Sequence, residues 1–255
     1  MEPASDAAPV TAAILAIGDE LLSGRTKDRN IGYIAEYLTD MGIDLREARI
    51  VPDVEEEIVA ALNALRARYT YVFTTGGIGP THDDITADAV AKAFAVGIDH
   101  DPRAVAILKA HYATRPELEI NEARMRMARI PDGADLIENP VSKAPGFRLG
   151  NVFVMAGVPA IMQGMLDKIA PALKGGRAIH SATVEAEVPE GDAARLMHSI
   201  QQTFAGVTVG SYPFFTQNRF GTNIVLRSRD AELLARAEQA LREGLAPLLA
   251  QRQKS

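Results

Sequence analysis

Three glycines and two adjacent carboxylates lie close together in this chain, in the sequence TTGGIGPTHDD at residues 74–84. An apolar, strand-like segment precedes it at residues 71–73, and a helix-like segment begins near Ile85. Glycine has no Cβ, so backbone amides can approach an anion closely, and the following helix offers further amides at its N-terminus. A tight turn without a ligand is the alternative. The residues predicted to bind phosphate here are Thr75, Gly76, Gly77 and Gly79.

The carboxylates near these glycines suit a divalent cation. One of Asp83 and Asp84 could simply cap the next helix, but capping needs only one carboxylate, and adjacent like charges repel unless a cation lies nearby. A second acidic turn, Gly18-Asp19-Glu20, follows the first predicted strand. Mg²⁺ that is shared with a phosphate takes such oxygen ligands. We therefore predict catalytic roles for Asp19, Asp83 and Asp84, and coordination of Mg²⁺ or Co²⁺ by Asp19, Glu20 and Asp84.

Side chains in two further loops could neutralise or bind a phosphate. Arg25 lies shortly after the first acidic turn. Residues 139–147 contain two prolines and a glycine, which makes this loop unusually constrained, and Ser142 and Lys143 lie at its centre. Ammonium and hydroxyl groups of this kind are common phosphate partners. We predict that Arg25, Ser142 and Lys143 contact the ligand if the second loop closes over it.

The order of the predicted elements indicates an α/β fold. Apolar runs predict strands at residues 12–17, 45–51, 71–75, 135–137 and 152–156. Helical spacing predicts helices at about 31–41, 58–65, 85–95, 160–173 and, with an interruption around 114–117, 101–129. This alternation favours right-handed crossovers and a mainly parallel sheet with helices on both faces, a three-layer α/β/α fold. Ligands bind beyond the carboxyl ends of such strands, so both acidic turns should face one crevice.

The order of elements changes after residues 174–177, where a boundary is plausible. The second part predicts a strand at 181–188, a helix at 192–204, strands at 207–212 and 222–228, and a helix at 231–249. Two successive strands indicate antiparallel pairing and a small α+β domain. We therefore predict a disordered tail at residues 1–11, a first domain at 12–174 and a second at 178–252.

Composition restricts the function classes further. The chain has 255 residues, a net charge of -6 and no cysteine. The acidic balance argues against a nucleic-acid-binding protein, and the lack of cysteine excludes disulfides, thiolate metal sites and cysteine nucleophiles. The start of the chain does not resemble a signal peptide, and no apolar run has the length of a membrane span. We therefore expect a cytoplasmic protein with a small-molecule ligand and no nucleic-acid or membrane partner.

Several of these segments together resemble one family. They are GDELLSG at residues 18–24, Asp28 with Asn30, TGGIGPTHDDIT at residues 75–86, Asn139-Pro140, APGF at residues 144–147, and GVP at residues 157–159. Residues 12–173 thereby resemble the molybdopterin-binding domain, and more closely the amino-terminal domain of the competence/damage-inducible protein A family. Residues 178–250 are similar to the small region that follows this domain in that family and in eukaryotic FAD synthases. The amidase domain of longer members is missing.

The resemblance implies a crevice that binds molybdopterin or a nucleotide through its phosphate, and it also implies a homodimer. Relatives in molybdenum cofactor synthesis adenylylate or metallate molybdopterin, but the second domain here is not typical of those enzymes. Members of the competence/damage-inducible branch are associated with metal-dependent hydrolysis of ADP-ribose, and the related FAD synthase domain with hydrolysis of FAD. Both hydrolyses would release AMP.

The chain departs from the family pattern beside the expected crevice. Many relatives have Pro-Gly-Val-Pro-x-Glu where this chain has AGVPAI at residues 156–161, so Ala156 replaces a proline and Ile161 a carboxylate. Ser142 replaces a glycine of the proline-containing loop. The phosphate loop is intact, so we predict binding of a phosphorylated pterin or nucleotide. A metal-dependent pyrophosphatase acting on ADP-ribose or FAD is the alternative, and molybdopterin adenylylation ranks below both.

Overall fold

The computed structural model describes residues 9–115, 120–176, 179–215 and 219–252. The chain divides into two compact units, residues 1–176 and 177–255, which are described separately below. Most of the predicted tail (residues 1–8), part of the expected helix interruption (116 and 117) and one residue of the expected boundary (177) lie outside the described residues. Within the described part, no helix combines the length and the apolar character that a membrane crossing requires.

The first unit is built on a six-stranded, mostly parallel sheet. Its strands are β1 (Thr11–Ile17), β2 (Asp44–Val51), β3 (Tyr71–Thr75), β6 (Asp135–Ile137), β7 (Gly146–Leu149) and β8 (Val152–Met155). The spatial order is β2-β1-β3-β8-β7-β6. The pairs β2/β1, β1/β3 and β3/β8 are parallel, whereas β7 is antiparallel to both β6 and β8.

Helices cover both faces of this sheet. They are α1 (Asp19–Leu22), α2 (Asn30–Asp40), α3 (Glu55–Arg68), α4 (Thr86–Phe94), α5 (Pro102–Ala113), α6 (Glu122–Arg126) and α7 (Pro159–Ile169). A two-stranded antiparallel ribbon, β4 (Ile98–His100) with β5 (Arg129–Pro131), lies beside α4.

Strand β1, which lies between β2 and β3, is apolar from Ala12 to Ile17 because both of its faces are buried there. Leu15 packs with α3 and α4 in one hydrophobic core, and Ile14 packs with α2 and α7 in the other. Alternate residues of a strand point to opposite faces, so one continuous apolar run serves both cores. The predicted three-layer arrangement is confirmed.

Strands β4, β5 and β7 were not predicted from the sequence. The segment at 101–129, expected to be helical with an interruption around 114–117, contains helices α5 and α6, but it ends in strand β5. The expected loop through residue 146 ends in strand β7, which forms a hairpin with β8 across Gly150, a residue with φ 58°. Neither β5 nor β7 exceeds four residues, which gives periodicity too few alternations to identify a strand. The three-residue strand β6 was nevertheless predicted.

The second unit contains β9 (His180–Ala186), α8 (Glu190–Thr203), β10 (Val207–Phe215), β11 (Phe220–Ser228) and α9 (Ala231–Arg252). Its sheet has the order β10-β11-β9 and is antiparallel throughout. Val184, Ile224 and Leu226 pack against Leu241 and other side chains of the helices to form its core. The expected α+β arrangement with an antiparallel pair is confirmed.

Candidate functional site

The candidate site lies where the parallel strands of the first unit end. The Gly18 amide donates to the Val51 carbonyl (3.1 Å), and the Gly76 amide donates to the Met155 carbonyl (3.2 Å), so the turns after neighbouring strands are held side by side. A cavity of about 550 Å³ opens at this edge. The lining residues are Glu20, Thr26, Gly76, Gly77, Ile78, Gly79, Pro80, Asp84, Met127, Asn139, Ser142, Ala144, Ala156, Gly157, Val158, Pro159 and Ile161.

The glycine loop requires glycine at two successive positions. Gly76 and Gly77 have φ of 103° and 67°, a region that side chains disfavour. A Cβ on Gly76 would lie 2.1 Å from the Ile17 carbonyl oxygen, and one on Gly77 would lie 2.1 Å from Thr86 Oγ1. Thr86, at the start of α4, fixes the loop because its hydroxyl donates to the Gly76 carbonyl and its amide to the Gly77 carbonyl, both at 3.0 Å. The loop is therefore rigid, with its backbone on the cavity wall.

Asp84 lies at the cavity and its neighbour Asp83 does not. One carboxylate oxygen of Asp84, Oδ2, accepts hydrogen bonds from the Thr81 amide (2.8 Å) and the Thr81 hydroxyl. The same carboxylate packs against Gly79, where a Cβ would lie 2.6 Å from Oδ2. Asp83 is exposed, and the Thr81 side chain lowers the pKa of its carboxyl. The two adjacent carboxylates therefore have different surroundings.

The first acidic turn contributes Glu20 to the cavity wall. Asp19 begins α1, is exposed and is not among the lining residues, but its amide donates to Asp53 Oδ2 at 2.9 Å. Burial raises the pKa of the Asp53 carboxyl, and the charges of Asp19, Glu20 and Asp83 raise it further against the opposing hydrogen bond from Asp19.

Sequence reasoning missed Asp53, although a signal was present. Asp53 follows the carboxyl end of β2 just as Asp19 follows β1. Ligands bind beyond the carboxyl ends of parallel strands, and this rule, which singled out Asp19, applies equally to Asp53.

Asn139 organises the loop at residues 139–146 and was also missed. Its side chain is 2% exposed; Oδ1 accepts from the Val141 and Ser142 amides (both 3.0 Å), and Nδ2 donates to Ser142 Oγ (2.6 Å) and the Ala144 carbonyl (2.8 Å). This arrangement brings Ser142 to the cavity. Lys143 is exposed and adopts a left-handed backbone with φ 65°.

The other predicted phosphate partners lie away from the cavity lining. Thr75 is buried at the end of β3, and Arg25 is exposed after α1. Of the predicted residues, the structure therefore brings six together at the cavity: Glu20, Gly76, Gly77, Gly79, Asp84 and Ser142. It does not bring Asp19, Arg25, Thr75, Asp83 or Lys143 into the lining.

The turn after β8 forms an apolar wall of the same cavity. Ala156, Val158 and Ile161 line it, and of these Ala156 and Ile161 occupy the positions where the resemblance would have supplied a proline and a carboxylate. Gly157 packs so closely against the glycine loop that a Cβ would lie 3.2 Å from the Gly76 Cα. Asn30 holds this turn, since its Nδ2 donates to the Gly157 carbonyl at 2.8 Å.

The lining residues fit a metal ion only if the ligand supplies part of its coordination. Two carboxylates, Glu20 and Asp84, line the cavity, and no lysine or arginine does. Among the described residues, no group of three or more histidine or acidic side chains is placed to hold a metal. Mg²⁺ is commonly bound by one or two carboxylates together with phosphate oxygens and water, so the pair is compatible with a phosphate-bridged ion.

Comparison with known proteins adds independent evidence on the family. Residues 13–175 match the family described as a probable molybdopterin binding domain. Residues 178–254 match the middle domain of FAD synthase. The second unit therefore resembles a FAD synthase region and not an amidase.

Individual relatives agree with these matches. A protein from Aeropyrum pernix is 35% identical over 78% of this chain and 78% of its own length. A CinA-like protein from Citrifermentans bemidjiense is 35% identical over 80% of this chain but only 55% of its own length, so the chain spans about half of that relative. The crystal structure of CinA from Thermoplasma acidophilum, a protein of unknown function, aligns with a TM-score of 0.60 and 32% identity over 64% of this chain and 98% of that one. The chain therefore belongs to the molybdopterin-binding domain family, with CinA-like proteins among its relatives.

Proposed function

We propose that the cavity at the strand ends binds a phosphorylated pterin or nucleotide. The observation that carries this proposal is the glycine loop, whose backbone is fixed by Thr86 and lines the cavity at Gly76, Gly77 and Gly79. The Gly76 amide already donates to Met155, so Gly77 and Gly79 would offer their amides to the phosphate. A cavity of about 550 Å³ lies within the usual range for small-molecule sites, roughly 300–1,000 Å³. Its apolar side, formed around Val158 and Ile161, suits a planar ring.

Charge indicates how the phosphate would be held. The lining contains Glu20 and Asp84 and no cationic side chain, so a bare phosphate would be repelled. A divalent cation between the carboxylates and the phosphate converts that repulsion into attraction. We therefore propose that binding depends on Mg²⁺, with Asp84 and Glu20 as the protein ligands.

Hydrolysis of a dinucleotide pyrophosphate, ADP-ribose or FAD, is the second proposal. Two observations favour it: the carboxylates of Glu20 and Asp84 lie at one cavity, and residues 178–254 match a FAD synthase domain. A water oxygen would bond to one phosphorus while the bond from that phosphorus to the bridging oxygen breaks. The bridging oxygen leaves with the other phosphate, and the protons of the water pass to solvent. Bound Mg²⁺ would polarise the water and screen the phosphates.

One experiment tests both proposals. The purified protein is incubated with ADP-ribose or FAD and Mg²⁺ or Co²⁺, AMP is measured by chromatography, and binding is measured by calorimetry with and without EDTA. Asp84→Asn removes the carboxylate at the cavity, and Asp83→Asn is its matched control, because the neighbouring side chain is exposed and outside the lining. We expect EDTA to weaken binding and Asp84→Asn to reduce any AMP production at least about tenfold, or roughly 1.4 kcal/mol.

The outcomes separate the two functions. AMP that forms with the wild type and with Asp83→Asn, but not with Asp84→Asn, supports the pyrophosphatase. Metal-dependent binding without AMP supports a binding protein and contradicts the hydrolase. Absence of binding by ADP-ribose, FAD and a phosphorylated pterin alike would contradict both proposals.

A further inference from the structure

A second pocket lies beside the cavity at the strand ends, on the other side of Pro80. Its volume is about 530 Å³, and its lining residues are Pro80, His82, His100, Glu122, Ala123, Arg126 and Arg129. Pro80 lines both cavities. A small depression is lined by residues of both cavities. They are Gly77, Gly79 and Asp84 of the first and Arg126 and Arg129 of the second, and Asp88 also lines it. The glycine loop is therefore continuous with the pocket, which we call the basic pocket.

The two arginines of the basic pocket are held in fixed positions. His100 of β4 and Arg129 of β5 are directly paired across the ribbon, so their side chains lie on the same face. Arg129 makes two hydrogen bonds of 2.7 Å to the Asp88 carboxylate. Arg126 lies 3.7 Å from the same carboxylate and donates to the backbone carbonyl of Asp84 at 3.3 Å. Both guanidinium groups thus contact the half-buried carboxylate of Asp88.

The two cavities differ in the charge of their lining, although Asp88 pairs with both arginines of the basic pocket and Asp99 Oδ1 lies 3.2 Å from His100 Nδ1. The strand-end cavity is lined by two carboxylates and no cation, whereas the basic pocket is lined by Arg126 and Arg129 against the single carboxylate Glu122. His82 and His100 add imidazole groups that can donate hydrogen bonds. Planar guanidinium groups match phosphate oxygens in geometry as well as in charge.

We infer that the basic pocket is a second anion subsite, which binds a phosphate group of the same ligand whose other phosphate lies at the glycine loop. The ligand class is then a nucleotide with two separate phosphate groups. ADP-ribose and FAD, whose two phosphates share a bridging oxygen, are outside this class, so the inference extends the first proposed function and not the second. Binding of the shared ligand rests on the proposed function, whereas binding of a phosphate in the basic pocket does not. The phosphate at the loop needs the cation; the phosphate in the basic pocket needs only the arginines.

Histidine resonances give a local test that is independent of activity. The chain has five histidines, and two of them, His82 and His100, line the basic pocket. Inorganic phosphate is titrated into the protein at constant ionic strength while the imidazole signals are followed by NMR, with His82→Gln and His100→Gln used for assignment. We expect the signals of His82 and His100 to shift and saturate while the other three stay in place, and Arg126→Gln to weaken this response several-fold.

Arg124→Gln is the matched control, because it removes the same charge from the same helix at a residue outside the pocket. The second measurement compares AMP with adenosine 3′,5′-bisphosphate in the presence of Mg²⁺. We expect the bisphosphate to bind about tenfold more tightly to the wild type and to Arg124→Gln, and the advantage to fall to about twofold or less in Arg126→Gln.

Each outcome decides a separate claim. If the His82 and His100 signals do not move, or all five signals move alike, the subsite is refuted. If they move but the bisphosphate has no advantage over AMP, the subsite binds phosphate and the shared ligand is refuted. Loss of all nucleotide binding with the NMR response intact would contradict the proposed function and leave the subsite in place.

Discussion

Replacing Gly77 with alanine should destabilise the first unit far more than the same change at Gly24. Both residues have a left-handed backbone, with φ of 67° and 71°. A Cβ at Gly24 would meet nothing within 4 Å, whereas one at Gly77 would lie 2.1 Å from Thr86 Oγ1. Both variants lose stability because alanine disfavours the left-handed backbone, but only Gly77→Ala also loses stability through the contact with Thr86. Comparing the two variants therefore separates these two losses.

The difference between the two variants can be worked from these contacts. A left-handed conformation costs a non-glycine residue about 1–2 kcal/mol, so Gly24→Ala should lower the free energy of unfolding by that amount. In Gly77→Ala the Thr86 side chain must also move, which breaks its hydrogen bond to the buried Gly76 carbonyl. Leaving a buried polar group unpaired costs about 1–3 kcal/mol. Gly77→Ala should therefore cost about 2–5 kcal/mol in total.

Urea unfolding followed by circular dichroism measures both costs, and the chain has no tryptophan to report by fluorescence. A double-mutant cycle with Thr86→Ala sharpens the test. Without the hydroxyl in its way, Gly77→Ala should cost little more than the backbone term, so the two changes should be strongly non-additive. Equal costs for Gly24→Ala and Gly77→Ala, or additive costs in the cycle, would refute the contact as the reason for glycine at this position.

Three further variants test other parts of the site. Burial and neighbouring carboxylates raise the pKa of the Asp53 carboxyl, so its negative charge destabilises the folded state above that raised pKa. This destabilisation disappears below the ordinary pKa of about 3.9, where the carboxyl is protonated in both states. Asp53→Asn should therefore raise the Tm at pH 7 and leave it unchanged at pH 3, and an equal rise at both pH values would contradict this reasoning. Lys143→Gly removes the strain of a left-handed backbone at a non-glycine residue. The free energy of unfolding measured in urea should therefore rise by about 0.5–1 kcal/mol, and a fall would show that contacts of the lysine side chain contribute more than this strain costs. Asn139→Ala removes four hydrogen bonds within the loop and should cost about 2–4 kcal/mol, whereas a change below 1 kcal/mol would mean that the loop is organised by its prolines.

The sequence predicted the long elements well, but among the short strands it predicted β6 and β8 and missed β4, β5 and β7. Strand β1 is a continuous apolar run because it is buried on both faces, and Gly18 marks its end, so its type and limits could be inferred. Strand β5 has three residues and pairs with β4 across a long stretch of chain. Its conformation depends on this pairing and not on a local pattern, so the apolar residues around it were assigned to a helix.

In the candidate site too, some features could be predicted from the sequence and others depend on how the chain folds. Gly76 and Gly77 were predicted to bind phosphate because they lack a Cβ, and that role stays a prediction; the structure adds that both have a left-handed backbone that favours glycine. Which carboxylate enters the cavity depends on how the loop folds back on itself. Thr81 holds Asp84 against Gly79 and leaves Asp83 in solvent. Two identical adjacent residues carry no sequence signal that distinguishes them.

The proposed subsites on either side of Pro80 differ in their charged groups, which would give a two-phosphate ligand a fixed orientation. A phosphate that needs a cation would be placed between Glu20 and Asp84, while one that needs guanidinium groups would be placed at Arg126. Binding the ligand in the reverse orientation would lose affinity at both subsites, because one phosphate would be left without the arginine and the other without the metal ion. Arg126 also donates to the backbone carbonyl of Asp84, so an anion in the basic pocket would contact a residue that is bonded to the proposed Mg²⁺ ligand. Occupation of the second subsite should therefore strengthen Mg²⁺ binding at the first, by the same factor by which Mg²⁺ strengthens the second.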